Sequence, residues 1–321
     1  MHPLSPPSIE DIRAARERLA GSAVVRTPLI RLHADGGPTE IYLKLENLQP
    51  IGSFKLRGAT SAMRLIPRDR LGHGVYTPSA GNMAQGVAWA AREMGVRASV
   101  VVPDHAPATK LAAVERLGGH VVKVPFAEWW KVMEEHRHPG MEGHCIHPVS
   151  DPAVIAGNGT IGLEISEDLP DVDTVLVPFG GGGLSSGIAS ALRVVAPRAR
   201  VWACEVSTAA PLQPSLAAGS PQTVEYTPSF VDGIGSRGLL AEMWPMVQSL
   251  LAGSIVVELG SVAAAVRLLA ERCRVIAEGA GAASVAAALS GRAGTGKTVC
   301  VVSGGNIDPD KLAVILSGSV P

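Results

Sequence analysis

Short β-branched, apolar runs alternate along almost the whole chain with longer runs whose apolar positions recur every three or four residues. IYLKLE, GVYT, ASVVVPD, HVVKVP, DTVLVPF, ARVWACEV and TVCVVSG read as strands. Between them, MAQGVAWAAREMG puts Ala84, Val87, Ala88 and Ala91 on one helical face, with Gly95 just past the end. SIEDIRAARERLAG predicts a helix capped by Ser8, with Asp11 three residues on. A helical run from Leu56 to Leu65 follows Lys55, and further helices are predicted over TKLAAVERLGG, AEWWKVMEEH, VIAGNGTIGLEISEDL, LSSGIASALRVVA, SVAAAVRLLAERC, ASVAAALSG and DPDKLAVILSG. TVLVPF is apolar throughout rather than alternating, the pattern of a parallel strand covered on both faces. The sum is an α/β protein with largely parallel sheets flanked by helices. Pro and Gly punctuation near residues 66–74 and 148–152 marks two domain crossings. A large domain is expected over residues 1–66 and 151–321, and a small one over 67–150.

Composition narrows the function classes. With 321 residues and 46% apolar residues the chain can bury substantial cores. A net charge of −1 offers no broad basic surface to nucleic acid or an anionic membrane. No apolar run reaches the length of a membrane span. The opening residues lack a basic segment followed by an apolar core, so no secretory signal is expected. Cys145, Cys204, Cys273 and Cys300 are scattered without a CxxC pair, which points to reduced thiols and a cytoplasmic location.

Four stretches could carry chemistry. In VPFGGGGLSSGIASAL, Gly180 to Gly183 follow an apolar strand and lead straight into a helix. Glycines let successive N–H groups converge, and a helix start adds partial positive charge, so the turn suits a phosphate. In TPSAGNMAQG, Ser79 to Asn82 join a strand to a helix, where free N–H groups suit a carboxylate. A plain helix cap by Ser79 or Asn82 accounts for that stretch equally well. VVSGGNID delivers Ser303 to the carboxyl end of a strand, unremarkable taken alone. Lys55, in QPIGSFKLRGA, would by itself pass for a surface lysine at a helix start. A lysine in a dry pocket, however, has a depressed pKa and a nucleophilic amine. An amine beside a phosphate cradle is what an aldehyde-bearing phosphate cofactor requires, and pyridoxal phosphate is that cofactor.

KLENLQPIGSFKLRGA, SAGNMAQGVAWAA, GNGTIGLEI, PFGGGGLSSGIA and VVSGGNID together resemble the pyridoxal-phosphate enzymes of the tryptophan-synthase β-like fold (fold type II), closest to the threonine/serine dehydratase and serine racemase subgroup. The resemblance runs from VVRTPL at residues 24–29 to the last helix. It implies a homodimer that deaminates an amino acid substrate. Lys55 would form the internal Schiff base, and Phe54 would pack beside the cofactor ring. Asn82 would hydrogen-bond the ring's phenolic oxygen, and Ser303 would face the pyridine nitrogen. Gly180, Gly181, Gly182, Gly183 and Leu184 would hold the phosphate, and Gly233 would lie close to the ring. Ser79, Ala80, Gly81, Asn82 and Met83 would surround the substrate carboxylate. The implied reaction is β-elimination from a β-hydroxy amino acid to a 2-oxo acid and ammonia. β-Replacement, racemisation and cofactor binding without turnover are the alternatives.

The chain departs from the family pattern at several positions. Met83 replaces a usual histidine, Ile51 a threonine and Asn158 a glutamine. The first two suggest a pocket for a bulkier or more apolar substrate. Ala80 replaces the racemases' serine, which argues against efficient racemisation. The subgroup's divalent-cation site is only partly echoed, by Glu205, with Pro211 where a carboxylate is expected, so no bound metal is expected. The chain stops where allosteric members add a regulatory domain, so feedback control is not expected.

Other motifs invite weaker interpretations. GRAGTGKT matches the P-loop pattern, but it follows a helix and precedes a strand, the reverse of what a P-loop needs. His136, His138, His144, Cys145 and His147 have spacing that fits no closed zinc site, and a solvated loop is expected there. The pair Trp129 and Trp130 suggests packing of at least one ring on a sheet. Glu278, in AEGAGAAS, could neighbour the cofactor or only cap a helix.

Overall fold

The computed structural model describes residues 2–33 and 39–321; Met1 and residues 34–38, both within the predicted large domain, lie outside the described residues. Two sheets organise the chain. The larger runs in the order β1 (Leu29–Leu32), β2 (Thr39–Lys44), β10 (Gly296–Val301), β7 (Thr174–Pro178), β8 (Arg200–Val206) and β9 (Gly253–Val257). β1 pairs antiparallel with β2, and the other neighbours pair in parallel. The smaller sheet runs β5 (His120–Val124), β4 (Ala98–Pro103), β3 (Val75–Thr77) and β6 (His144–Cys145), parallel throughout. All five residues of β7 are buried, as the unbroken apolar run predicts.

Helices cover the sheets where the 3.6-residue periodicity places them. α1 (Ile9–Leu19) begins with the predicted Ser8–Asp11 capping box, and α3 (Asn82–Met94) ends on Gly95 in the left-handed conformation. The chain passes into the small sheet after α2 (Lys55–Leu65) and returns before α6 (Pro152–Asp168). Leu56 and Met63 of α2 are fully buried, each worth about 2 kcal/mol in apolar burial. α4 (Ala108–Arg116) and α5 (Phe126–Glu135) flank the small sheet. α6 and α7 (Gly183–Val195) cross at backbone contact. A Cβ on Gly187 would meet Ile155 O at 2.4 Å, and one on Gly162 would meet Ile188 O at 2.8 Å. That close crossing lays the first turn of α7 on α6.

A charged quartet lies inside, behind α2. Arg57 donates to both oxygens of Glu46 at 2.8 Å, and to Glu164 at 2.6 and 2.9 Å. Lys44 Nζ donates to Glu164 at 2.5 Å and to Thr27 O at 2.6 Å. Burial alone would push the Glu46 carboxyl up, but Arg57's charge and hydrogen bonds hold it below its ordinary value. Two cations balance two anions, and each is bonded, which is the condition under which charges tolerate burial. The quartet ties β2 and the η1 turn (Glu46–Leu48) to α2 and α6, and so fixes the axis whose first residue is Lys55.

Shorter elements also appear: β1, β6, β9, α8 (Leu212–Ala218) and α9 (Trp244–Leu250). α10 (Leu259–Leu268) continues into a single π turn, Leu269–Cys273. α11 (Gly279–Leu289) and α12 (Pro309–Leu316) flank β10 in sequence. GRAGTGKT spans the α11–β10 connection, the reverse of P-loop order. No helix among the described residues is long and apolar enough to cross a membrane.

Candidate active site

The carboxyl ends of β3, β4, β7 and β10 open on one cleft of about 460 Å³ between the two sheets. Ligands in parallel α/β sheets bind at such edges. Lys55 is part of the cleft wall. Its Nζ donates to Pro148 O at 2.7 Å and lies 5.2 Å from the centre of the Phe54 ring. Desolvation lowers its pKa from an ordinary 10.5 to about 8. The turn before it is stapled to the strand end that carries Ser303. Phe54 N donates to Ser303 O at 3.0 Å, and Gly305 N donates to Gly52 O at 2.9 Å. Gly52 has φ +72°, a left-handed backbone that favours glycine at this turn. Thus the apolar setting of Lys55 comes from Phe54 and the Pro148 peptide, and its nearness to Ser303 from main-chain pairing.

Gly180 to Gly183 join β7 to α7 and line the same cleft. Val149 fills the space beneath them. A Cβ on Gly181 would lie 2.4 Å from Val149 Cγ1, and one on Gly183 would lie 2.6 Å from Val149 O. Gly182 has φ +93°. From behind, Asn158 Nδ2 donates to Gly183 O at 3.4 Å and Ser185 Oγ donates to Gly182 O at 3.1 Å. The carbonyls are thereby held back, and the N–H groups at the start of α7 are left for an anion.

The β3–α3 connection brings Ser79, Ala80, Gly81, Asn82 and Met83 to the cleft. Gly81 holds the N-cap position of α3, and no side chain caps this helix. Ser79 Oγ instead accepts from Gly81 N at 3.3 Å. Asn82 Nδ2 donates to Glu278 Oε1 at 2.9 Å, and Asn82 Oδ1 accepts from Asn306 Nδ2 at 2.8 Å. The amide has a second N–H, so one donor remains for a ligand. Glu278 precedes α11 but makes no side-chain cap bond; its carboxylate holds Asn82. Burial and the nearby Asp232 charge push this carboxyl up to about 7, against the Asn82 hydrogen bond. Gly233 and Leu184 line the cleft, as does the buried Ser303. Every residue to which the resemblance assigns a cofactor or substrate role therefore borders one space.

Some expectations change. The histidines of residues 136–147 do not form a solvated loop, because His138 and His147 are buried. His147 Nε2 donates to Met133 O at 3.1 Å, and its Nδ1 accepts from Ser150 N at 2.9 Å. Its ring stacks on His136 at 4.0 Å. Desolvation first, and then His136's charge, lower its pKa to about 3, so it is a neutral strut. Ile51 is buried and lies outside the cleft wall, while Met83 borders the cleft but packs with Ala59 and Met63. Glu205 accepts from Leu212 N at 2.8 Å, Gln213 N at 2.9 Å and Ser254 Oγ at 2.6 Å. With its oxygens so engaged and Pro211 offering no side-chain donor atom, these residues do not fit a divalent cation.

The sequence profile of the family "Pyridoxal-phosphate dependent enzyme" matches residues 21–305, and the chain belongs to that family. Over 315 residues it is 40% identical to the L-threonine ammonia-lyase of Geobacter sulfurreducens, covering 95% of this chain and 77% of that one. It is 37% identical to the catabolic L-threonine dehydratase TdcB of Escherichia coli, covering 97% and 96%. The structure of maize serine racemase superposes with a TM-score of 0.87 at 33% identity, covering 96% of each chain. The residues present fit the family's cofactor: an amine of lowered basicity, a glycine nest that side chains would fill, and a spare amide donor on Asn82 share the cleft.

Proposed function

We propose that the chain is an ammonia-lyase that dehydrates and deaminates a β-hydroxy amino acid to a 2-oxo acid. The observation that carries this reading is the Lys55 amine, held by the Pro148 carbonyl and of lowered basicity, in the same cleft as the Gly180–Gly183 turn and the uncharged Ser303. Pyridoxal phosphate, when bound, supplies an electron sink for the substrate α-carbon. The N–H groups of Gly180 to Leu184 would hold its phosphate. Phe54 and Gly233 would flank its ring, and Asn82, fixed by Glu278 and Asn306, would bond its phenolic oxygen. Ser79, Ala80, Gly81, Asn82 and Met83 would receive the substrate carboxylate. Lys55, freed by the incoming amine, would take the α-proton, a task suited to an amine with a pKa of about 8. Ser303 carries no negative charge to keep the ring nitrogen protonated, which weakens the sink and favours expulsion of a β-hydroxyl. Ala80 offers no hydroxyl at the position from which the racemases protonate.

The same reading assigns residues 1–66 and 151–321 to a large cofactor-binding domain and 67–150 to a small domain, a division supported by the strands of the smaller sheet all falling within residues 67–150. The four free thiols suit a reducing cytoplasm, and a homodimer is what the family resemblance implies. The test is 2-oxo acid release from L-threonine and L-serine by the yellow holoenzyme, abolished in Lys55→Ala at unchanged Tm. A coloured, folded protein that releases no 2-oxo acid from any β-hydroxy amino acid would overturn it.

A further inference from the structure

The small-sheet side of the cleft is more apolar than a hydroxyl or methyl substituent demands. Pro103, Ala106, Trp129 and Met133 border it there. Of the polar side chains nearby, Lys110 is tied to Asp232 at 2.9 Å, and the His105 ring lies 3.2 Å from Asp104. Trp129 packs against the small-sheet cluster of Tyr76, Val101, Val124 and Val132, as its sequence position suggests, and also borders the cleft. It stands within a run of rings. His105 and Phe126 have centroids 5.9 Å apart, Phe126 and Trp129 5.6 Å, and Trp129 and Trp130 6.0 Å, all tilted. These are favourable aromatic spacings. The buried Trp129 Nε1 has no hydrogen-bond partner within the described residues. Tyr226, 41% exposed, borders the cleft from the loop between α8 and α9.

We propose that Trp129, with Met133 beside it and Tyr226 from the α8–α9 loop, forms a subsite for an aryl group on the substrate's β-carbon. The chain's preferred substrates are then 3-arylserines rather than threonine or serine. This inference rests on the ammonia-lyase reading and specifies its substrate class. Chemically the step is unchanged. The α-proton and β-hydroxyl leave as water, and the enamine tautomerises and takes up water to give a 3-aryl-2-oxo acid and ammonium. The water lost equals the water gained, and no oxidant is needed. What differs is the binding of the side chain. A methyl leaves the Trp129 wall in contact with water, whereas a phenyl covers it.

The test compares L-threo-3-phenylserine with L-threonine as substrates of the holoenzyme and of Trp129→Ala, with Trp129→Phe as the conservative variant. The expected result is a higher kcat/KM for phenylserine in the parent. Trp129→Ala should lower it by about tenfold or more, mainly through KM, with a smaller loss for threonine; Trp129→Phe should restore much of the loss. Calorimetric binding of L-phenylalanine against L-alanine, neither of which has a β-hydroxyl to eliminate, gives a second readout. Phenylalanine should bind about tenfold tighter, and Trp129→Ala should erase the difference. A parent that prefers threonine, or a Trp129→Ala that slows both substrates equally, overturns the subsite. If neither substrate yields a 2-oxo acid, the lyase reading fails, and the phenylalanine preference alone decides whether the subsite stands.

Discussion

Val149 meets two glycines of the proposed phosphate turn through different atoms, so alanine at each position should behave differently. A Cβ on Gly181 would lie 2.4 Å from a side-chain methyl, and one on Gly183 would lie 2.6 Å from a backbone carbonyl. Both are about 1 Å inside normal contact, and overpacking of that kind costs about 1–3 kcal/mol. If the cost falls on the turn, Gly181→Ala weakens pyridoxal phosphate binding by about 5- to 150-fold. Val149→Ala removes the obstructing methyls at its own cost of about 1–2 kcal/mol. The double variant Gly181→Ala/Val149→Ala should therefore recover at least about 1 kcal/mol relative to the sum of the singles. Gly183→Ala/Val149→Ala should recover nothing, because the carbonyl stays. Gly180→Ala should leave the apoprotein's stability within about 0.5 kcal/mol, since its nearest new contact is at 3.7 Å. Urea unfolding of the apoproteins and absorbance titration with pyridoxal phosphate supply the numbers. Additive behaviour at Gly181, or equal rescue at Gly183, would refute the reasoning.

Two further outcomes follow from the buried charges. The native Glu278 carboxyl keeps its proton up to about pH 7, whereas an unfolded glutamate releases it near 4.5. The native state thus holds more protons in that window, so apoprotein stability falls as pH rises through it, by up to about 3 kcal/mol. Glu278→Gln should flatten that slope in urea titrations between pH 4.5 and 8, and superimposable slopes would exclude the assignment. Arg57→Ala strips the buried Glu46 of its ion-pair partner and leaves Glu164 with Lys44 alone, and should cost about 3–5 kcal/mol in unfolding free energy; a loss below about 1 kcal/mol would show that the quartet does not hold α2.

Strand and helix identity was legible wherever a run was long and its period unbroken, as in β7 and α3. β1, with a charged residue in four, and β9, which begins on glycine, offered no such signal. α9 begins Trp-Pro and lasts seven residues, too few to display a periodicity. The glycine turn was legible because an anion nest restricts residue type, whereas Lys55 gained its role only beside that turn and Ser303 only from the family resemblance. The support around them was not. Val149 acts through its van der Waals surface, and any small apolar residue writes the same pattern. Glu278 was ambiguous because a residue preceding a helix can face either its N–H groups or a neighbour, and Asn82 is 196 positions away. The histidines misled for a related reason: polar composition suggested water, but stacking and carbonyl bonds satisfied the rings inside.

Pro148 and Val149 are consecutive, one bonded to the Lys55 amine and the other wedged under the glycine turn. A single peptide unit thus touches both the Lys55 amine and the glycine turn. Covalent geometry holds the two Cα atoms about 3.8 Å apart, however far one sheet stands from the other. A displacement that carried Pro148 and Val149 with it would disturb both contacts together rather than one alone.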